Sequence, residues 1–236
     1  MRLSLLFIFL LFGVFHTTAQ EEKQNDNAIP NVVDSLYRED QFYVSLSFNL
    51  ITNQPQSYSQ NGFSGGLNFG FIRDMPINKR RNVALGIGLG HSINTYNSNL
   101  FIGETTNGET LFQVLNNDVE VDRNRFSTSL IEMPVQLRWR TSTPTSYTFW
   151  RIYGGMKFSY IYSYKARFIG GGNSIKQTDI PELNKFRYAA TLTLGHGGFN
   201  AFVQYDLNTL FDNNAVIDSN RVNLQPIKFG IEFYIL

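Results

Sequence analysis

The 236 residues carry a formal charge of +1 and contain no Cys. Nothing in that balance offers an electrostatic footprint for nucleic acid, and without Cys there is neither a disulfide framework nor a residue to carry a lipid anchor. Mean hydropathy is slightly negative, yet Phe and Tyr number 21 and 12, and after residue 15 no apolar segment approaches the ~20 residues of a spanning helix.

The chain opens with Met1-Arg2, an acid-free apolar run from Leu3 to Phe15, and the small residues Thr17-Thr18-Ala19. This is the pattern of an export signal, so residues 1–19 are expected to be removed before Gln20. That takes away one Arg and no acid, which leaves the remainder formally neutral. Residues 20–39 are polar and rich in Asn and Asp, and are expected to form a flexible periplasmic lead-in. A single domain is expected over 40–236.

From residue 41 the hydropathy alternates with period two. Phe42, Val44, Leu46, Phe48 and Leu50 share one face. The next run places Phe63, Leu67, Phe69 and Phe71 against Ser64, Gly66, Asn68 and Gly70, and the third sets Val83, Leu85, Ile87, Leu89 and Ile93 against small residues. The fourth pairs an apolar row, Ile131 to Trp139, with Glu132, Pro134, Gln136, Arg138 and Arg140. In the fifth, Trp150, Ile152, Met156, Phe158, Tyr160, Tyr162 and Tyr164 oppose Arg151, Tyr153, Lys157, Ser159 and Lys165. Three shorter runs follow, around Tyr188–Leu194, Phe199–Leu207 and Ile227–Ile235. Each run is near the ~9–11 residues a tilted strand needs to cross the hydrocarbon. The small residues on the second face imply a narrow interior.

Eight such runs predict an all-β fold, an eight-stranded antiparallel transmembrane β-barrel. The connections support it, because 52–61, 96–125, 166–185 and 208–222 are long while 74–81, 141–147 and 195–198 are short. Outer-membrane barrels have short periplasmic turns and longer outside loops, which would place both termini in the periplasm. The structural rival is a soluble barrel with its apolar faces inward. In the last run, Lys228, Gly230, Phe233 and Ile235 fill a polar–x–Gly–x–x–apolar–x–apolar spacing. It resembles the signal by which the barrel-assembly machinery recognises its clients.

Two strands point to a family. Leu130-Ile131-Glu132-Met133-Pro134-Val135-Gln136-Leu137 and Trp150-Arg151-Ile152-Tyr153-Gly154-Gly155-Met156-Lys157-Phe158-Ser159-Tyr160 resemble consecutive strands of the PorT-like, porin-family outer-membrane barrels of Bacteroidota. The segment Phe71 to Arg81 is similar to the same group. The resemblance implies an outer-membrane location, with outer-membrane lipids as neighbours, and a role beside type IX secretion or gliding proteins. It implies no chemistry.

The register places Glu132, Arg138, Arg140, Arg151, Lys157, Asp206, Lys228 and Glu232 on the non-lipid face. In so small a barrel these groups are expected to fill the lumen as ion pairs, the alternative being a charged constriction in a small solute channel. An outer-rim lipid deacylase is the enzymatic alternative. His91 shares the lipid-facing register with Ser127 and Ser129, but no acid is evident to orient the ring as a triad requires. The plainer reading of His91 is a place in the interfacial girdle, and no enzyme is expected. Asp118, Glu120 and Asp122 alternate in the longest loop without the Gly and closing Glu of a calcium loop, so no metal or cofactor is expected. Apolar residues in the same loop, Phe101, Ile102, Leu111, Phe112, Val114 and Leu115, leave two readings. The segment either folds over the barrel mouth or meets a partner, or it extends two membrane strands to a hairpin tip at Asn107-Gly108.

Overall fold

The structure, a computed structural model, describes residues 40–116, 118–141 and 149–235. The expected signal 1–19, the lead-in 20–39 and most of the 141–147 turn lie outside them. Thirteen strands are described: β1 (Gln41–Thr52), β2 (Gly65–Pro76), β3 (Val83–Asn97), β4 (Leu100–Glu104), β5 (Thr110–Val114), β6 (Arg123–Arg140), β7 (Trp150–Gly170), β8 (Asn173–Gln177), β9 (Phe186–His196), β10 (Phe199–Asp206), β11 (Val216–Ile217), β12 (Asn220–Arg221) and β13 (Gln225–Ile235). Eight of them hydrogen-bond in the order β6-β3-β2-β1-β13-β10-β9-β7, and β6 pairs with β7 to close the ring. Every pairing is antiparallel. A closed eight-stranded barrel follows, which removes all open sheet edges from the spanning region.

Alternation sets the two faces. Along β1 every second residue is buried, from Gln41 to Ile51, while Phe42, Leu46 and Phe48 between them are exposed. Across the middle of all eight strands the exposed set is the apolar one, with Leu89 65 % and Leu137 57 % accessible. Only a non-aqueous surround makes that arrangement favourable, so the soluble rival with inward apolar faces is excluded. The small residues of the inner face make room, as expected. Tyr43 reaches across the neighbouring strands, where a Cβ at Gly90 would collide with its hydroxyl and one at Gly70 with its ring.

The end carrying Gln41 and Ile235 is here termed the lower end. Its connections, 77–82 and 197–198, are short, whereas 53–64, 98–122, 171–185 and 207–224 at the upper end are long. Two sequence expectations need correction here, and one open choice is decided. First, β2 does not end at residue 73 but runs to Pro76, and the turn closes through Ile77 N–H to Val83 O at 3.0 Å. Asp74 therefore belongs to the lumen. Second, β7 carries a bulge: Ser129 pairs with Ser163 and Leu130 with Ile161, which leaves Tyr162 without a partner. One extra residue reverses the facing of everything beyond it. Tyr164 turns inward and Lys165 outward, the opposite of the simple alternation.

Third, the long connection 98–122 is not a prolongation of β3 and β6 to one tip. It holds a separate hairpin, β4–β5, whose turn spans 105–109 with Gly108 at φ +83°. Leu100, Ile102 and Phe112 on its inner side are buried against Phe126, Leu130 and Ile161 of the barrel and against Leu183, Leu210 and Phe211 of the other upper loops. Of the two readings of this loop, folding over the mouth is the one realised. The lack of an N–H at Pro134 also shows, because pairing between β3 and β6 is interrupted between Ile87–Val135 and Gly90–Glu132.

Candidate functional site

The lumen holds the charged side chains in layers. At the lower end Asp74 accepts from both Arg138 Nη1 at 3.0 Å and Arg140, whose Nη1 and Nη2 grip its two oxygens at 2.9 Å each. All three side chains are fully buried. Arg138 also donates to Gln41 Oε1, and its guanidinium lies over the Tyr153 ring at 4.2 Å and the Tyr234 ring at 5.6 Å. Tyr234 in turn donates to Glu232. In the middle layer Lys157 Nζ stands 3.1 Å from Glu132 Oε2. Near the upper end Arg187 donates to Asp206 Oδ2 at 2.7 Å, and Gln204 donates to Oδ1 of the same carboxylate at 3.0 Å. Buried Lys228 lies within electrostatic reach of both Asp206 and Glu132.

Each lumen residue expected from sequence, Glu132, Arg138, Lys157, Asp206, Lys228 and Glu232, is buried inside the barrel. Their pairing was not legible. Arg138 meets Asp74 and Asp206 meets Arg187, and neither partner was expected there. Both follow the alternation of their strands when it is carried one or two residues further: Asn68, Ile72 and Asp74 share the inner face of β2, and Arg187, Ala189 and Thr193 that of β9. Such groups are costly to desolvate, and the Coulombic return inside a low-dielectric lumen repays this only with good geometry and further hydrogen bonds. The bidentate Arg140–Asp74 contact supplies both.

Above the ion pairs sits an apolar cap. Ile180, Leu183, Leu210, Phe211, Val222 and Leu224 close over the mouth with the β4–β5 hairpin. The Phe211 ring packs edge-on to Phe112 at 5.0 Å and against Phe126 at 5.8 Å. Tyr58, in the 53–64 loop, joins the cap, and burial pushes its hydroxyl up to about 12.

On the outer surface, Phe233 and Ile235 of the β13 pattern point outward, while Lys228 is in the lumen and Gly230 is paired to Phe202, for whose ring it leaves room. His91 lies on the outward face of β3, and its Nε2 is 2.7 Å from the Tyr162 hydroxyl. Its ring also packs against Phe69 at 5.2 Å. Ser129 is opposite Ile93, not His91. Among the described residues no hydrogen bond joins Ser129 to the ring and Nδ1 has no partner, so the structure brings His91 to an aromatic girdle and not to a serine. His196 ends β9, exposed, and packs on Trp150 at 4.8 Å. Among the described residues no group of three or more His, Asp or Glu side chains is placed to hold a metal ion.

Among curated proteins none matches the sequence. Of the solved structures, Ail, the attachment invasion locus protein of Yersinia pestis, crystallised with the heparin analogue sucrose octasulfate, is similar at 12 % identity and a TM-score of 0.33, over 84 % of this chain and 99 % of that one. Residues 18–214, well over half of the chain, match the family model described as outer membrane protein beta-barrel domain. With a closed eight-stranded ring, an apolar outer face and an ion-paired lumen, the chain belongs to the outer membrane protein beta-barrel domain family and is a protein of the bacterial outer membrane.

Proposed function

We propose that this protein is a sealed barrel that works by binding or assembly at the cell surface, and neither conducts solutes nor catalyses a reaction. The observation that carries the reading is the double closure of the lumen. Among the described residues, Arg138, Arg140, Tyr43, Tyr153 and Glu132 are among the largest fully buried side chains, and the apolar cap covers the upper mouth. Eight strands leave an interior about wide enough for side chains alone, and a pore would have to expel ion pairs whose partners would then be uncompensated. Planar-bilayer recording on purified protein checks this. Insertion without steady conductance is expected, and a steady large conductance would replace this reading with that of a small channel.

In the same proposal residues 1–19 are a cleaved signal, both termini are periplasmic and the capped end faces outward. The short lower turns and long upper loops support that orientation. An epitope inserted in the 105–109 turn should be reached by antibody on intact cells. A signal obtained only after permeabilisation would reverse the barrel. His91→Phe should leave lipid composition and barrel assembly unchanged, since it removes one exposed hydrogen bond to Tyr162. An altered lipid profile would revive the deacylase.

The partner class proposed from the strand resemblance is PorT-like, a component of type IX secretion or gliding machinery. Affinity capture from mildly solubilised membranes should recover envelope proteins of such a system. A barrel that comes down alone in repeated extractions would remove that role while leaving the sealed-barrel reading in place.

A further inference from the structure

The outward face of β6 changes character abruptly. From the lower end it reads Trp139, Leu137, Val135, Met133 and Ile131, then Ser129 and Ser127, then Arg125 and Arg123. On β7 the exposed Phe158, Tyr160 and Tyr162 give way to Lys165 and Arg167. The side chains of Arg123, Arg125, Lys165 and Arg167 are all exposed, as is Lys176 on β8. The register gathers them. Arg125 is directly opposite Arg167, Arg167 is directly opposite Lys176, and Lys165 faces Ser127.

Three features make this more than a solvated rim. Like charges directly across a strand pair are destabilising, and here two such pairings share one arginine. Among the described residues none of the five cations forms an ion pair, and Arg125 makes a single neutral contact, Nε to Asn97 Oδ1 at 3.0 Å. The arrangement also depends on the bulge at Tyr162. Without that extra residue Lys165 and Arg167 would point inward toward the apolar cap, so the irregularity re-aims both to the outer surface. The cluster is confined to one sector, since Thr95 and Phe186, outward residues of the flanking strands, carry no charge.

Position identifies the occupant. The apolar band of such barrels is about 25 Å tall, and the row from Trp139 to Ser129 spans about that height for strands tilted and rising about 3.4 Å per residue. The cations begin within two to four residues beyond it, at the level of lipid headgroups. We propose that β6, β7 and β8 form a binding site for the phosphorylated saccharide head of an outer-leaflet lipid, of the bisphosphorylated lipid A class. Its two phosphates would neutralise the opposed arginines through charge-assisted hydrogen bonds, for which the guanidinium fork is suited. A phospholipid with one phosphate satisfies the charge less well.

The site rests on the capped end facing outward, but its chemistry is testable without that orientation. The full chain, purified in detergent, is titrated with bisphosphorylated lipid A, monophosphorylated lipid A, phosphatidylglycerol and inorganic phosphate, and loss of the heat-modifiable folded band is followed. Bisphosphorylated lipid A should raise the unfolding temperature most, with an effect that weakens as salt is added. The triple variant Arg125→Gln, Lys165→Gln, Arg167→Gln should bind at least tenfold more weakly, and Lys79→Gln with Arg80→Gln in the lower turn should bind as the parent does. Should the triple variant fail to fold, Arg125→Lys with Arg167→Lys keeps the charge and loses the fork, and a severalfold loss specific to bisphosphorylated lipid A is expected. No shift for the parent, equal binding by the variants, or an equal effect of phosphatidylglycerol or inorganic phosphate would each overturn the proposal. Surface labelling that puts the 105–109 turn in the periplasm would remove lipid A as the occupant even if binding in detergent held.

Discussion

Replacing Asp74 with alanine is expected to destabilise the barrel by about 3–5 kcal/mol, the cost of breaking a buried pair by removing one partner. The carboxylate is bound by both Arg138 and Arg140, and all three side chains are inaccessible to solvent. Its loss takes from both guanidinium groups the buried carboxylate they share. Urea-dependent folding into lipid vesicles measures the effect as a lower midpoint at unchanged slope. The internal comparison is Asp40 with Arg73, an ion pair of similar length at 3.2 Å whose side chains are 29 % and 52 % exposed. Solvent screening holds such a pair to about 1 kcal/mol or less, so Arg73→Ala should be nearly silent. Equal effects at the two places would mean that water enters the lower lumen. Replacing Asp74, Arg138 and Arg140 together by apolar residues of similar volume should recover much of the loss, because no unpaired charge then remains.

Placing a charge on the outer belt should be as damaging, in a manner that depends on depth. Leu46 lies at the middle of the outward row of β1, 53 % exposed, paired with Ile231 on one side and Leu67 on the other. Leu46→Arg is expected to cost about 2–4 kcal/mol, the depth-dependent penalty of a cation at the bilayer midplane. Thr52→Arg, at the upper end of the same face of the same strand, should cost about 0–1 kcal/mol because the side chain reaches the interface. The same vesicle folding assay reads both. Similar costs at the two positions would show that the apolar belt is not centred on this part of β1.

Much of the architecture is a local property of the chain and was therefore open to inspection. Period-two alternation from Phe42 to Leu50, from Ile131 to Trp139 and from Ile227 to Ile235 defines strands and their two faces without knowledge of neighbours, since adjacent side chains on a strand must point opposite ways. The interior position of Glu132, Arg138, Lys157, Asp206, Lys228 and Glu232 follows from the same rule. Alternating loop lengths are likewise read directly, and the described connections keep that order.

What alternation alone does not resolve is partnership. Arg138 is 64 residues from Asp74 and two strand pairings away across β3, where Arg138 is opposite Ala84 and Asp74 opposite Gly86, so its choice of Asp74 over Glu132 depends on register and on the stagger of strands around the ring. The bulge at Tyr162 is a second such case. It inserts one residue with no Gly or Pro to announce it, and the facing of Tyr164 and Lys165 reverses as a result. The folding of β4–β5 onto Phe126, Ile161 and Phe211 is a third. The apolar content of 98–122 was visible in the sequence, but burying it needs surfaces from the three other upper loops and from the barrel, and those surfaces exist only once the barrel has closed. Sequence by itself determined which side chains face lipid and which face the lumen wherever the alternation runs unbroken, as on β1, β6 and β13. The tertiary structure decided which charges neutralise one another, which are left outward without a partner and what seals the mouth, because these are contacts between strands and loops distant along the chain, set by ring closure.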